Sequence, residues 1–394
     1  MRIYLYQPLD FHFHSGVVLS VLREYLHLTH HGHEIFLYGT YEDEAAFQEI
    51  RDYIGDARIH LLTRKGPLDQ WRSRLKFRFL WSAIRDRAPG KLFVTRHFSK
   101  ALDVRWLKPL LGRSCRFVYE AHEDAFPHLL PVHHKQSVAA IKRKTETIFR
   151  LNDGLLLNNF SQEMVLAQAF DRHPPCINLP NGVDIDHFSK AMPPPWRPEG
   201  PFVVTYVGQF TAWKNVEMLF AALERLDARF CLRIAGGKGG ELGFAAGQHY
   251  VNRMVDKYGL AGRVDFRGFV QPSLLVAEVL NGSSVLTLPM GDNVRARYLT
   301  SPMKLFESMA TGIPVVAVNF PSVNRVIGPD VAFLAEPDPQ SFADAIQAAA
   351  LATDRVERVQ RMNLLARQFT HTVRAERYHR WLTEIVGPGG ASSV

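Results

Sequence analysis

The sequence predicts an α/β protein built from two doubly wound domains. Three observations carry this expectation. Short apolar and β-branched runs alternate with helical stretches along nearly the whole chain, the pattern of a parallel sheet covered on both faces. The 394 residues suffice for two domains at about 100–200 residues each. Between Ala191 and Pro201, five of eleven residues are proline, which reads as a stiff linker. The expected divisions are a first domain over 1–188, a linker over 189–201, a second domain over 202–369, and a C-terminal helix with a frayed tail over 370–394.

The chain opens with Arg2–Gln7 as a strand, too short an apolar run for a signal peptide. A loop with Pro8 and Ser15-Gly16 leads into an apolar helix from Val17 to about His30, and Gly32 ends it. Strands are expected at 34–38, 57–62, 92–95, 116–120, 154–157 and 176–179. In the second half, strands are expected at 202–207, 229–235, 264–266, 284–288 and 313–318, with helices at 216–226, 341–351 and 372–386. Strand, glycine loop, helix is the opening of a doubly wound unit.

No apolar run reaches the ~18 residues of a membrane-spanning helix. Cys115, Cys176 and Cys231 form no paired or metal-ligand spacing, so a reducing compartment is expected. The histidines at His12-x-His14, His30-His31-x-His33 and His133-His134 lack a supporting carboxylate or cysteine pattern. His31-Gly-His-Glu reads more simply as a helix C-terminus. Net charge is +8, and residues 64–116 hold fifteen Lys/Arg against three acids, an excess that points to an anionic surface. Within it, Trp71, Leu75 and Phe79 align at helical spacing beside Arg72, Arg74, Lys76 and Arg78. That is the pattern of a basic amphipathic helix at a membrane surface, or of a domain helix with solvated arginines.

One stretch concentrates the chemistry. Arg297–Val318 reads as loop, helix, turn and strand. Ser301 suits an N-cap, Pro302 the first helical position, and Thr311-Gly312 the end. The helix start at Pro302-Met303, with the free backbone N–H groups of its first turn, attracts an anion. Lys304 and Glu307 share a face there: one suits a phosphate, the other sugar hydroxyls. A plain surface ion pair, worth about 0.3 kcal/mol, is the alternative. Lys214, after the Gly208-Gln209 turn, is placed to reach phosphate oxygens. Gly16 permits close backbone approach to a diphosphate or acceptor. Phe269 reads equally as core or as a residue bordering a ligand, and His122 alone reads as a structural histidine.

Glu307-Ser-Met-Ala-Thr-Gly-Ile-Pro-Val-Val316, with Ser301-Pro-Met-Lys304 before it, resembles the signature of the retaining glycosyltransferases with the GT-B fold (glycosyl transferases group 1). The resemblance spans nearly the whole chain and is densest from Pro180 to Val318. Two positions depart from the family pattern: Leu299 stands where it has a first glutamate, and Gln209 where it has an arginine. Lys304 offers a replacement positive charge. The resemblance implies two Rossmann-like domains facing across a cleft, with the C-terminal helix crossing back to the first. It implies a nucleoside-diphosphate sugar bound by Gly16, Gly208, Gln209, Lys214, Phe269, Val270, Ser301, Pro302, Met303, Lys304 and Glu307. His122, Lys214 and Glu307 are its implied catalytic residues, His122 by hydrogen-bonding the sugar, with no metal and no cofactor. The implied reaction is retaining hexosyl transfer to a hydroxyl of a saccharide or lipid-linked acceptor, in polysaccharide or glycolipid synthesis. The expected location is cytoplasmic, peripheral at the inner membrane face. The same fold also serves a catalytically decayed nucleotide-sugar-binding protein or a sugar-nucleotide epimerase; a nucleic-acid binder is disfavoured by the absence of a recognisable motif.

Overall fold

In this computed structural model the described residues are 1–11, 22–23, 26–41, 44–54, 58–63, 68–86, 88, 90–111, 115–122, 126, 129, 137–237 and 241–387. Gly16 and the histidines at 12, 14, 133 and 134 lie outside them. The chain divides into two units, residues 1–180 with 371–394, and residues 181–370.

Period-two alternation builds the N-terminal unit. In β1 (Arg2–Phe11), Ile3 and Leu5 enter one core cluster while Tyr4 and Tyr6 enter the other, so the strand is buried on both faces. Around it run β2 (Glu34–Tyr41), β3 (Arg58–Thr63), β4 (Lys91–Thr95), β5 (Cys115–Ala121), β6 (Gly154–Leu157) and β7 (Cys176–Asn178). All pair in parallel in the order β3-β2-β1-β4-β5-β6-β7. Buried on both faces, such strands read as continuous apolar runs. On one face the rings of Tyr4, Phe36, Phe93 and Phe117 stack with centroids 4.7–5.2 Å apart, and Phe79 and Ala83 of the helix Leu68–Arg85 cover them. The other face is closed by the C-terminal helix His371–Val386, through Tyr378, Trp381, Leu382 and Ile385. A Cβ on Gly154 would stand 2.4 Å from Ile385 Cδ1 and 2.9 Å from the Trp381 ring. Glycine at this one position therefore lets the helix settle against β6.

The C-terminal unit holds β8 (Phe202–Gln209), β9 (Phe230–Gly237), β10 (Val264–Gly268), β11 (Val285–Leu288), β12 (Val315–Val318) and β13 (Phe333–Ala335). They form a parallel sheet in the order β10-β9-β8-β11-β12-β13. In both sheets the order reverses beside the first strand, between β1 and β4 and between β8 and β11. The carboxyl ends at such a reversal are where open α/β sheets hold ligands.

Two local expectations change. The proline-rich segment is fastened to the C-terminal unit rather than bridging as a linker. Trp196 donates to the Ala350 carbonyl at 2.9 Å, Arg355 lies 4.1 Å over its ring, and the Met192 N–H donates to Asn281 at 2.9 Å. The division falls instead between Pro180 and Asn181. On the basic helix, Phe79 is buried in the core, as the domain-helix alternative has it and not the membrane-surface one, and Phe77, Trp81 and Ile84 are its exposed large hydrophobic residues. The side chains of Trp71 to Lys76 lie outside the described residues.

Candidate active site

At the carboxyl end of β8 the backbone comes close to its neighbour. Gly208 pairs with Gly236, whose φ is +131°, and a Cβ on Gly236 would stand 1.9 Å from the Gly208 carbonyl oxygen. The Tyr206 hydroxyl donates to the Gln209 carbonyl at 3.0 Å. The chain then forms a short 3-10 turn, Ala212–Lys214, ended by left-handed Asn215 (φ 43°), a conformation asparagine tolerates better than most residues. This reversal brings the Lys214 ammonium back to 3.5 Å from the Cβ position of Gly208. A larger residue than glycine there would crowd the cation.

The loop after β11 supplies a second cation. The Gly291 N–H donates to the Trp213 carbonyl at 2.9 Å, tying the β8 and β11 loops together. Asn293 Oδ1 accepts from the Ala296 N–H at 2.9 Å and starts a π-helical turn, Arg295–Leu299, a distortion often found at functional sites. The turn directs Arg295 over the Trp213 ring at 4.8 Å from its centroid; Lys214 lies over the same ring at 5.4 Å. Sequence reasoning passed over Arg295, because only this turn and a tertiary partner bring it to the site.

The third cation is Lys304. It pairs with Glu307 at 2.5 Å, and Glu307 is the more buried of the two. Burial first, and then the charges of Lys304 and Arg295, push the Lys214 ammonium down to about 8, against the opposing pull of Glu307. Three cations and one carboxylate thus converge at the sheet's reversal point. The structure brings together Gly208, Lys214, Lys304 and Glu307 as expected, and adds Arg295.

The helix start differs from expectation. The helix is Met303–Met309, with Pro302 as its cap residue and no side-chain cap. Ser301 Oγ instead accepts from the Asn181 N–H at 3.2 Å, and the Asn181 amide donates to the Ser301 carbonyl at 2.7 Å. At seven residues the helix is short for an aligned macrodipole; the positive field comes from the side chains. Leu299 is only 1% exposed, so the position of the family's first glutamate faces the core. Phe269 is exposed rather than core, Val270 beside it is half-buried, and Gln209 is exposed.

In the N-terminal unit, His122 follows β5 inside a charged network. Arg96 Nε donates to His122 Nε2 at 3.0 Å and Arg96 pairs with buried Glu120 at 2.7 Å. His122 Nε2 also lies 3.1 Å from Glu120 Oε1, and Nδ1 lies 2.8 Å from the Asn158 side-chain amide. Burial alone would raise the Glu120 carboxyl, but the Arg96 charge, His122 and Arg374 outweigh it and hold it well below the usual carboxylate range. Both nitrogens of His122 are therefore engaged. Among the described residues no group of three or more His, Cys, Asp or Glu side chains is arranged to hold a metal ion.

Solved structures of the same architecture cover almost the whole chain. Anabaena Alr3699/HepE, in complex with UDP and glucose, matches 98% of this chain and 100% of its own at 18% identity and a TM-score of 0.73. The sucrose-phosphate synthase of Thermosynechococcus elongatus matches 98% of each chain at 17% identity and a TM-score of 0.70. The fold is GT-B. Residues 201–352, which contain the cation cluster, match the family model described as Glycosyl transferases group 1. The putative colanic acid biosynthesis glycosyltransferase WcaL of Escherichia coli K12 is 27% identical over 174 residues, 43% of this chain and 40% of its own length.

Proposed function

We propose that this protein is a glycosyltransferase that moves a hexosyl group from a nucleoside-diphosphate sugar to a hydroxyl, with retention at the anomeric carbon. The observation that carries the reading is the convergence of Lys214, Arg295 and Lys304 beside Glu307 at the reversal point of the C-terminal sheet. A departing diphosphate needs its charge neutralised, and preorganised cations in a partly desolvated site do this without reorganising. In this reading Lys304 swings from Glu307 to the phosphates, and Glu307 accepts from ribose hydroxyls. Gly208 leaves room for the diphosphate, and exposed Phe269 and half-buried Val270 border the base. The cations supply the charge neutralisation, so the transfer needs no metal. His122 serves the sugar; a sugar hydroxyl would take the place of Asn158 at Nδ1. Retention rests on the sequence signature around Glu307.

The acceptor in this reading is a saccharide or lipid-linked saccharide in polysaccharide or glycolipid synthesis, met at the cytoplasmic membrane face. No helix among the described residues is long and apolar enough to cross a membrane. The deciding test is thermal stabilisation by a panel of nucleoside diphosphates and their sugars. A shift with one base that disappears in Lys214→Ala and Glu307→Ala supports the donor site; no shift with any nucleotide, in a folded protein, overturns it. Turnover of the sugar nucleotide without acceptor would favour an epimerase instead.

A further inference from the structure

The helices Leu68–Arg85 and Phe98–Leu111 pack against each other on the N-terminal unit. Each already gives an apolar face to the core, through Phe79 and Ala83 and through Leu107 and Leu111. Each also carries a second apolar face that the fold does not use. Phe77, Trp81 and Ile84 lie at i, i+4 and i+7 on one helix, Trp106 and Leu110 at i and i+4 on the other, and all five are 47–66% exposed. These are five of the thirteen large hydrophobic side chains exposed among the described residues, so the exposure is concentrated rather than scattered. Phe77 and Trp81 stack at 6.1 Å. Arg85 lies 5.3 Å over the Trp81 ring and Arg105 lies 4.9 Å over Trp106.

We propose that this two-helix face docks on the surface of an anionic lipid bilayer. Charge selects the occupant. The two helices together carry eight Lys/Arg against Asp69 and Asp103, a net +6, and anionic headgroups attract such segments. Side-chain chemistry agrees. Tryptophan places its ring at the boundary between headgroups and acyl chains, and arginine can lie along an apolar ring while its charged end stays among phosphates. A protein partner would need no such charge excess, and a nucleic acid would leave Phe77, Ile84 and Leu110 without a role. The inference deepens the transferase reading by naming the surface on which its acceptor is presented. Vesicle binding is measured without donor or acceptor, so the two proposals fail separately.

The test is cosedimentation of the full chain with vesicles of phosphatidylcholine alone and of phosphatidylcholine mixed with phosphatidylglycerol, at low and high salt. Binding should require the anionic lipid, weaken with salt and shift tryptophan emission to the blue. One arginine near an anionic surface is worth about a factor of five. Arg85→Glu with Arg105→Glu should therefore weaken binding by at least about twentyfold. Trp81→Ala with Trp106→Ala should abolish the blue shift and most of the binding. These exposed substitutions should leave the melting temperature and the nucleotide-induced shift intact, which shows the protein is folded. Equal binding to neutral and anionic vesicles, or undiminished binding by the tryptophan variant, overturns the proposal. Capture by duplex DNA that depends on the same arginines, with no vesicle binding, reassigns the face to nucleic acid.

Discussion

Lys214 and Arg295 lie over the same indole, 5.4 and 4.8 Å from the centroid of Trp213. The Arg295 charge adds to burial and to Lys304 in disfavouring the ionised form of Lys214. The arrangement costs folding energy and is suited to an anion that relieves it. Replacing Arg295 by alanine should weaken nucleoside-diphosphate binding by about ten- to a hundredfold, the loss of one charge-assisted contact. It should also raise the Lys214 ammonium from about 8 toward its ordinary value. Nucleotide affinity in the native protein should fall as the pH rises through about 8 and Lys214 loses its proton. In the variant that fall should begin at higher pH, a displacement that a merely structural role for Arg295 would not cause. Isothermal titration across this range gives both results.

The same depressed ammonium makes a stability prediction. Its folded value is below that of the unfolded chain, so the unfolded state binds the proton more tightly. Below about 8 the folded protein must carry the charge at a cost, and stability should rise with pH between about 8 and 10.5. Lys214→Met removes the cost. It should stabilise the protein at neutral pH by about 1–3 kcal/mol and abolish nucleotide binding. Denaturant titration beside nucleotide binding tests the opposition. A destabilised variant would show that the lysine is structural.

Leu299 offers a test of the departure from the family pattern. It is 1% exposed, so restoring the glutamate would bury a carboxylate where a leucine packs. Leu299→Glu should lose about 2–5 kcal/mol of stability and gain no nucleotide affinity. A soluble variant with unchanged melting temperature and tighter nucleotide binding would show that the position reaches the ligand.

Strand positions were legible in the sequence because buried parallel strands are apolar runs whose residues serve both faces. Lys214 was legible because it follows the turn after a strand, and Lys304 and Glu307 because their three-residue spacing puts them on one face at the start of a helix. Arg295 was not: its direction depends on the turn held by the Asn293–Ala296 hydrogen bond and on Trp213, contributed by another loop. Ser301 was misassigned because its hydroxyl holds the Asn181 N–H rather than its own helix. The register of the helix Leu68–Arg85 was ambiguous because both its faces are apolar, so spacing alone could not say which one enters the core. The proline-rich segment read as a linker because the hydrogen bond of Trp196 to Ala350 is invisible to composition.

Gly154→Ala tests how the C-terminal helix is seated. The added methyl would collide with Ile385 and the rigid Trp381 ring, so the helix must shift. A cost of about 1–3 kcal/mol is expected, with nucleotide binding by the C-terminal unit retained. Chemical denaturation measures it, and an unchanged midpoint would mean that the helix yields freely.

A seam of histidines between the residues around 23–33 and the same C-terminal helix should make the N-terminal unit acid-sensitive. His33 Nε2 lies 2.7 Å from His379 Nδ1, so only one proton fits between the two rings, and His31 stacks on His379 at 4.8 Å. Arg23 donates to His371 Nε2 at 3.1 Å, which leaves that ring neutral, and His27 stacks on it at 6.2 Å. Burial, then the N-terminal ammonium, His379 and His31, push His33 down to about 4. Burial, then Arg23, Arg374 and His27, push His371 down to about 3. His27 and His379 are lowered as well, first by burial. Each folded value is below that of the unfolded chain, so this contribution to stability is complete above about 6.5 and is lost as the pH falls toward 4. The melting temperature should drop between pH 7 and 5, over the range in which unfolded histidine titrates. His371→Gln keeps an acceptor for Arg23 but cannot titrate, so its drop should be smaller, and His33→Gln should reduce it similarly. A wild-type melting temperature that stays flat across this range, or variants that fall as steeply as the wild type, would show that the seam does not govern the acid response.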